Sequence, residues 1–383
     1  MLGRRSLFSR ALVPSFVLCA AALLSAGAAC AQPQAQAHTQ TQAQDPTIKP
    51  PIRGLVSMGA YAFVPNGGQP VNTLAPLRAK SGIFGGIVVV ASWQQLQPVK
   101  GGPLRPNVID NMLAQIRVYN AHHPKKPLAV KLRVWAGFMA PEWAKQIGGA
   151  QISATHSGHL RTVGRFWSPA YRAAFANLQT LLAARYDSEP LIREVSVTQC
   201  MSFTAEPFFV PVDPSEDVLA NLRKAGFNDA DYKDCLQNAV SDYSAWRQTR
   251  IEFPFNPYRT RPNEGNGNAA FTIRVMRACR RAIGARCVLD NHDLNNPLGA
   301  SITPIYAEMK NLKPEIEFQT LNKTPPDFPG TIRLAVSYGA SSVELYQDFP
   351  KFGFPPVAPA TLRLWASWLA KNTGEPPPTR DRR

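Results

Sequence analysis

Gly86-Ile87-Val88-Val89-Val90-Ala91-Ser92, then Val108 to His122, then Ala129-Val130-Lys131-Leu132-Arg133-Val134-Trp135: this is the stretch that decides the fold. Two short runs rich in β-branched residues enclose a segment in which Ile109, Met112, Leu113 and Ile116 recur at helical spacing. Strands this apolar along their length are covered on both faces, which is the condition of a parallel sheet flanked by helices. One such unit is a βαβ crossover; a chain of them is an α/β fold.

The same alternation extends in both directions. Upstream, Leu55 to Ala62 reads as the first strand. Downstream, helix Pro169 to Tyr186 leads into strand Glu194 to Cys200, and two helices broken near Gly226 occupy Ser215 to Gln248 before strand Arg250 to Phe255. Helix Asn268 to Ile283 then precedes strand Cys287 to Asn291, Thr303 to Leu312 precedes Glu315 to Thr320, and Gly330 to Tyr338 precedes Ser342 to Tyr346. Helix Ala358 to Lys371 closes the series. About eight units in this order predict a single-domain (β/α)8 TIM barrel over residues 53–372. A doubly wound open sheet shares the alternation, but no Gly-rich nucleotide loop follows the first strand.

The ends of the chain differ in character. Arg4, Arg5 and Arg10, an apolar run from Ala11 to Leu24 and the small residues Ser25 to Ala31 form a secretory signal pattern over 1–31. The Gln, Ala and Thr tract that follows predicts a disordered leader through residue 52, and 373–383 a disordered tail. Gly27 stands where a lipoprotein signal wants a larger aliphatic residue, so release as a secreted or periplasmic protein is favoured over lipid attachment at Cys30. No later run is apolar enough for stable membrane insertion. Removal of 1–31 takes away three arginines and no acid, changing the net charge from +16 to +13. Basic residues are scattered rather than interleaved with aromatics, which argues against nucleic acid and leaves anionic glycans open as partners.

Four cysteines remain after the signal. Cys279 and Cys287, flanking a short helix-to-strand connection, are the favoured disulfide, with Cys200 and Cys235 as a second pair. No HExxH or CxxC motif is present, His156 and His159 read as surface loop residues, and no metal or other cofactor is expected.

In a barrel of this kind the active site is built from loops at the C-terminal ends of the strands. There the chain reads Ser92-Trp93-Gln94-Gln95-Leu96-Gln97-Pro98, then Trp135 through Pro141-Glu142-Trp143, then Phe203-Thr204-Ala205-Glu206-Pro207-Phe208. These segments, spread over Leu55 to Pro207, resemble the clan A retaining glycoside hydrolases, which include cellulase-like and β-galactosidase-like barrels. The resemblance is clearest at Ala205-Glu206-Pro207, similar to the Asn-Glu-Pro that ends strand four in that clan. It implies a glycosidase with Glu206 as general acid/base. Ala205 replaces the Asn that contacts the sugar hydroxyl beside the reacting carbon.

Glycoside hydrolysis needs a second carboxyl group. The clan places it at the end of strand seven, where Glu317 shares a face with the more terminal Gln319. On strand eight, Glu344 shares a face with Tyr346 and points into the barrel mouth. Glu344 ranks ahead of Glu317, with Asp290 third; Glu317 implies the retaining route and Glu344 leaves room for inversion. Tyr61, Trp93, Trp135, Trp143 and Tyr346 fall at strand ends and are candidates for stacking on sugar faces. Arg133, Gln199, Asn256, Asp290, His292 and Gln319 are candidate polar contacts. The reading is an exported hydrolase of a poly- or oligosaccharide, with oligomeric state left open. Ala205 and Gln319 keep a rival in view, a glycan-binding barrel that has lost its nucleophile.

Overall fold

The computed structural model describes residues 47–61, 71–72, 82–204, 206–213, 215–260, 268–313, 315–321, 325–346 and 357–371, with backbone alone for 59–61 and 71–72. The signal segment, Cys30, most of the leader, Ala205 and the tail lie outside these residues, as does the side chain of Tyr61.

The eight barrel strands are β1 (Gly54–Tyr61), β2 (Phe84–Ser92), β3 (Ala129–Trp135), β4 (Ile192–Ser196), β5 (Arg250–Pro254), β6 (Cys287–Asp290), β7 (Glu317–Gln319) and β8 (Ser342–Leu345). They are parallel, in the hydrogen-bonded order β7-β8-β1-β2-β3-β4-β5-β6. Parallel bridges Leu289↔Ile316 and Leu294↔Thr320 join β6 to β7 and close the ring. The expected barrel is therefore the architecture observed.

Helices Asn107–His122, Pro169–Tyr186, Ala269–Ile283, Thr303–Leu312, Phe328–Ser337 and Pro359–Lys371 flank the strands and bury their apolar stripes against them. Disulfides join Cys200 to Cys235 and Cys279 to Cys287, with Cα–Cα distances of 6.1 and 6.0 Å. No helix among the described residues is long and apolar enough to cross a membrane.

Two local expectations change. Residues 47–52 are not a loose leader: Ile52 is fully buried, and the Lys49 ammonium donates to the carbonyls of Glu189 and Ile192, both at 2.7 Å, and to Thr249 Oγ1 at 2.8 Å. The stretch holding His156 and His159 is an antiparallel hairpin, Ile152–His156 with His159–Val163, held by the His156 Nδ1 to Glu216 Oε2 contact at 2.7 Å.

The barrel interior is divided. On the β1 to β3 side Val56, Met58, Val88, Val90 and Trp135 form an apolar cluster with Met201. The other inward residues include Lys131, Arg133, Glu194, Glu252, Asp290, Glu317 and Glu344, all buried. Lys131 Nζ lies 2.7 Å from Glu317, 3.5 Å from Glu344, 3.8 Å from Asp290 and 4.0 Å from Glu194. With five carboxyl groups to two cations the acids are in excess, and burial raises the pKa of Glu194 and Asp290, so protons as well as Lys131 and Arg133 offset the buried charge.

Candidate active site

Glu206 stands ten residues beyond the end of β4, on a segment held at both ends. At one end Cys200 has φ of 68° and is tied to Cys235. At the other, Phe208 has φ of 69° and packs against Phe253, Phe255 and Phe271. Left-handed backbone at non-glycine residues persists only where surrounding contacts impose it. Gly137, φ 50°, lets the β3 loop approach closely: a Cβ there would sit 2.2 Å from the Ser202 carbonyl oxygen. Phe138 N–H donates to that oxygen at 3.1 Å.

The segment is thereby laid across the ends of β5 and β6. Arg259 N–H donates to the Phe208 carbonyl at 3.0 Å, and Val210 N–H to the Arg259 carbonyl at 3.3 Å. Asn256 Nδ2 donates to Glu206 Oε2 at 2.5 Å, and His292 Nδ1 meets Glu206 Oε1 at 2.9 Å. Asn256 is itself oriented, its Oδ1 accepting from His292 N–H at 3.0 Å and Asn291 Nδ2 at 3.1 Å.

His292 faces carboxylates on both sides, since its Nε2 lies 3.1 Å from Asp290 Oδ2. Burial alone would lower its pKa, but Glu206 and Asp290 hold it well above the ordinary value, so the imidazolium donates from both nitrogens. Burial pushes Asp290 up to about 7, with Lys131 pulling down and Glu252 pushing up. Asp293 is raised to about 6 by burial and then by the charge of Glu206, against His292.

Glu206, Asp293, Asn256, Arg259, Phe209 and Asn295 line one open cleft of about 510 Å³, with Leu321 and Ile302 as apolar wall. Two carboxyl groups thus share a solvent-accessible site, one fixed as a double acceptor and one holding its proton into mildly acidic pH. Such a pair can pass a proton in opposite directions during one reaction.

The predicted residues divide between this cleft and the barrel centre. Asn256 and His292 touch Glu206, and Asp290 lies behind His292. Glu344 and Glu317 face inward as the strand alternation required, but each is only 1% exposed. Arg133 clamps Glu344 with two hydrogen bonds of 2.9 Å, and Lys131 takes Glu317, so neither carboxyl lines the cleft. Burial opposes ionisation of Glu344, yet Arg133 and Lys131 hold its pKa below the ordinary value. Gln319 is buried beside Glu344 in register, and Gln199 reaches Cys235 Sγ at 3.8 Å.

Of the aromatic candidates, Trp93, Trp135, Trp143 and Tyr346 pack against neighbouring side chains, and the side chain of Tyr61 lies outside the described residues. Trp93 is fully buried, edge-on to Trp143, Tyr171 and Phe175, because Ser92 caps a short helix that turns the indole inward. Trp143 donates its indole N–H to the Gln97 carbonyl at 3.1 Å. Trp135 and Tyr346 pack on the apolar side of the barrel interior. Asp293, Arg259 and Phe209 were not anticipated. The signal for Asp293 was its place beside His292 in Leu289-Asp290-Asn291-His292-Asp293, just past β6.

Glu252, Asp290 and His292 bring one donor atom each to within 4.8 Å of one another, a set chemically suited to a divalent cation. Here the positive charge comes from the side chains: Lys131 Nζ stands 3.8 Å from Asp290, and His292 directs Nε2 at Asp290 and, at 3.7 Å, Glu252.

No protein-family model matches the chain, and no curated protein does. Among solved structures, endo-glycoceramidase II from Rhodococcus sp. is similar with a TM-score of 0.45 and 14% identity, over 83% of this chain and 78% of that one. An endo-β-1,4-glucanase from Xanthomonas axonopodis pv. citri gives 0.45 and 12% over 83% and 99%. XacCel5A in complex with cellopentaose gives 0.46 and 13% over the same shares.

Proposed function

We propose that the protein is an exported glycoside hydrolase in which Asp293 donates the proton to the leaving oxygen and Glu206 acts as the second carboxylate, attacking the sugar or activating water. The observation that carries this is the pairing of Glu206 and Asp293 on one open cleft at the C-terminal ends of the strands. Asp293, at about 6, is protonated in mildly acidic solution, as a general acid must be. Glu206 accepts hydrogen bonds at both oxygens, which stabilises it as an anion when positive charge develops on the sugar ring. The sequence resemblance at Ala205-Glu206-Pro207 supports the same substrate class, with Glu206 in a changed role, and the signal pattern over 1–31 supports export.

The test is turnover by the mature protein, from Gln32 onward, of a panel of polysaccharides and aryl glycosides. Glu206→Gln is expected to abolish hydrolysis of the whole panel and Asp293→Asn that of the polysaccharides, while the far-ultraviolet circular dichroism stays unchanged. Hydrolysis that survives both substitutions refutes the assignment; binding of glycans without turnover by any version refutes the hydrolase itself.

A further inference from the structure

We infer that Arg259 makes this cleft a site for anionic glycans, its guanidinium taking the carboxylate or sulfate of a sugar bound beside Glu206 and Asp293. The inference rests on the hydrolase reading and names its substrate class.

Arg259 is built into the site rather than attached to its rim. Its backbone forms a bridge with Phe209, exchanging hydrogen bonds with Phe208 and Val210, so it moves as one piece with the Glu206 segment. The guanidinium carbon lies 5.8 Å from the centre of the Phe209 ring, and both side chains line the cleft. Its Nε is enclosed and has no hydrogen-bond partner. Arg133, Arg53, Arg277 and Arg172 are paired with carboxylates, and Arg161, Arg280 and Arg286 donate through a terminal nitrogen to backbone carbonyls. Arg259 forms no ion pair among the described residues, although Glu206 and Asp293 line the same cavity.

Nε is closed off from solvent, so an incoming anion meets the terminal nitrogens of the guanidinium. Two carboxyl groups in one cleft repel an anion, so an acidic sugar enters only if a cation is held clear of them to receive it. The planar guanidinium pairs with a carboxylate or sulfate through two parallel hydrogen bonds, fixing where the sugar sits relative to Asp293. The net charge of +16, or +13 without residues 1–31, adds long-range attraction for the same class of ligand.

The experiment uses the mature chain and matched glycans: uronic acid oligosaccharides with their carboxyl-reduced neutral forms, and sulfated galactans with their desulfated forms. Calorimetric affinity and steady-state hydrolysis are measured for wild type, Arg259→Gln, Arg259→Lys and, as a control of general charge, Arg223→Gln. The anionic member of one pair should bind at least about tenfold more tightly, which tells carboxylate from sulfate. That preference should vanish in Arg259→Gln, survive in part in Arg259→Lys and persist in Arg223→Gln, with the loss appearing in KM. Equal affinity within every pair, or a preference untouched by Arg259→Gln, overturns the inference. Hydrolysis of neutral glycans with no such preference overturns it while leaving the hydrolase reading standing; no binding or turnover of any glycan overturns both.

Discussion

Lys131→Met tests whether the barrel centre is one electrostatically coupled unit. Methionine keeps the side chain as far as Cε, with sulfur in place of one methylene, and removes the ammonium. At an effective dielectric constant near 20, a unit pair separated by the 2.7 Å to Glu317 attracts by about 6 kcal/mol before desolvation is counted. The contacts to Glu344, Asp290 and Glu194 at 3.5, 3.8 and 4.0 Å add to it, and the desolvation of a buried ammonium offsets much of the sum. Removing one partner of a buried pair costs about 3–5 kcal/mol, because the other charge is left uncompensated. At roughly 2 °C per kcal/mol, the thermal midpoint should fall by about 6–10 °C. Urea titration and calorimetry at pH 7 measure both quantities. Adding Glu317→Gln to Lys131→Met should recover part of the loss, with a coupling energy of about 0.5–3 kcal/mol. A single-variant loss below about 1 kcal/mol, or strict additivity in the double variant, would refute the reasoning.

The remaining predictions concern the site, pH and the disulfides. With Asp293 as acid, kcat/KM should fall about tenfold per pH unit above about 6. Asp293→Asn should lower kcat by about 10²–10⁴-fold for poor leaving groups and far less for activated aryl glycosides that need no proton; an equal loss on both kinds contradicts the role. His292, raised above its unfolded value of 6.5, contributes stability present below 6.5 and lost as pH rises through the folded value. Asp290, raised from 3.8 to about 7, holds in the folded state a proton that the unfolded chain releases, so its contribution also declines as pH climbs through that range. Glu344 and Glu252, held below 4.5, protect only above that value. The thermal midpoint should therefore be higher at pH 5.5 than at 8.5, and Asp290→Asn should flatten the slope; a midpoint rising from 5.5 to 8.5 has the wrong sign. Replacing Cys200 and Cys235 together by alanine should cost about 4 kcal/mol and replacing Cys279 and Cys287 about 2.5 kcal/mol, from loop separations of 35 and 8 residues. The reverse order in urea titration would contradict the chain-entropy account.

The barrel was legible because each strand carries its own local signature: the run Ala129 to Trp135 is bounded in the structure where its β-branched residues end. Alternation also put Glu344 and Glu317 on the inner face correctly. What it could not convey is depth and company. Glu344 is neutralised by a side chain 211 residues away, and no local pattern announces that Arg133 projects from β3 to meet it. Trp93 shows the same ambiguity at short range, since an indole at a strand end reads equally as cleft or core until the Ser92 to Gln95 capping turn sets its direction. Asp293 escaped because period-two reasoning stops at the strand end, and its role comes from the loop beyond β6 that places it in the cleft with Glu206.

The double anchoring of the Glu206 segment has a meaning for anyone redesigning this protein. Its ends are set by a covalent link at Cys200 and an aromatic nest around Phe208, both outside the register of β4. The reach of the carboxyl is thus set by these anchors and by the ends of β5 and β6 rather than by β4. A redesign of this loop must therefore keep both anchors together with the Asn256 and His292 contacts that receive the carboxyl.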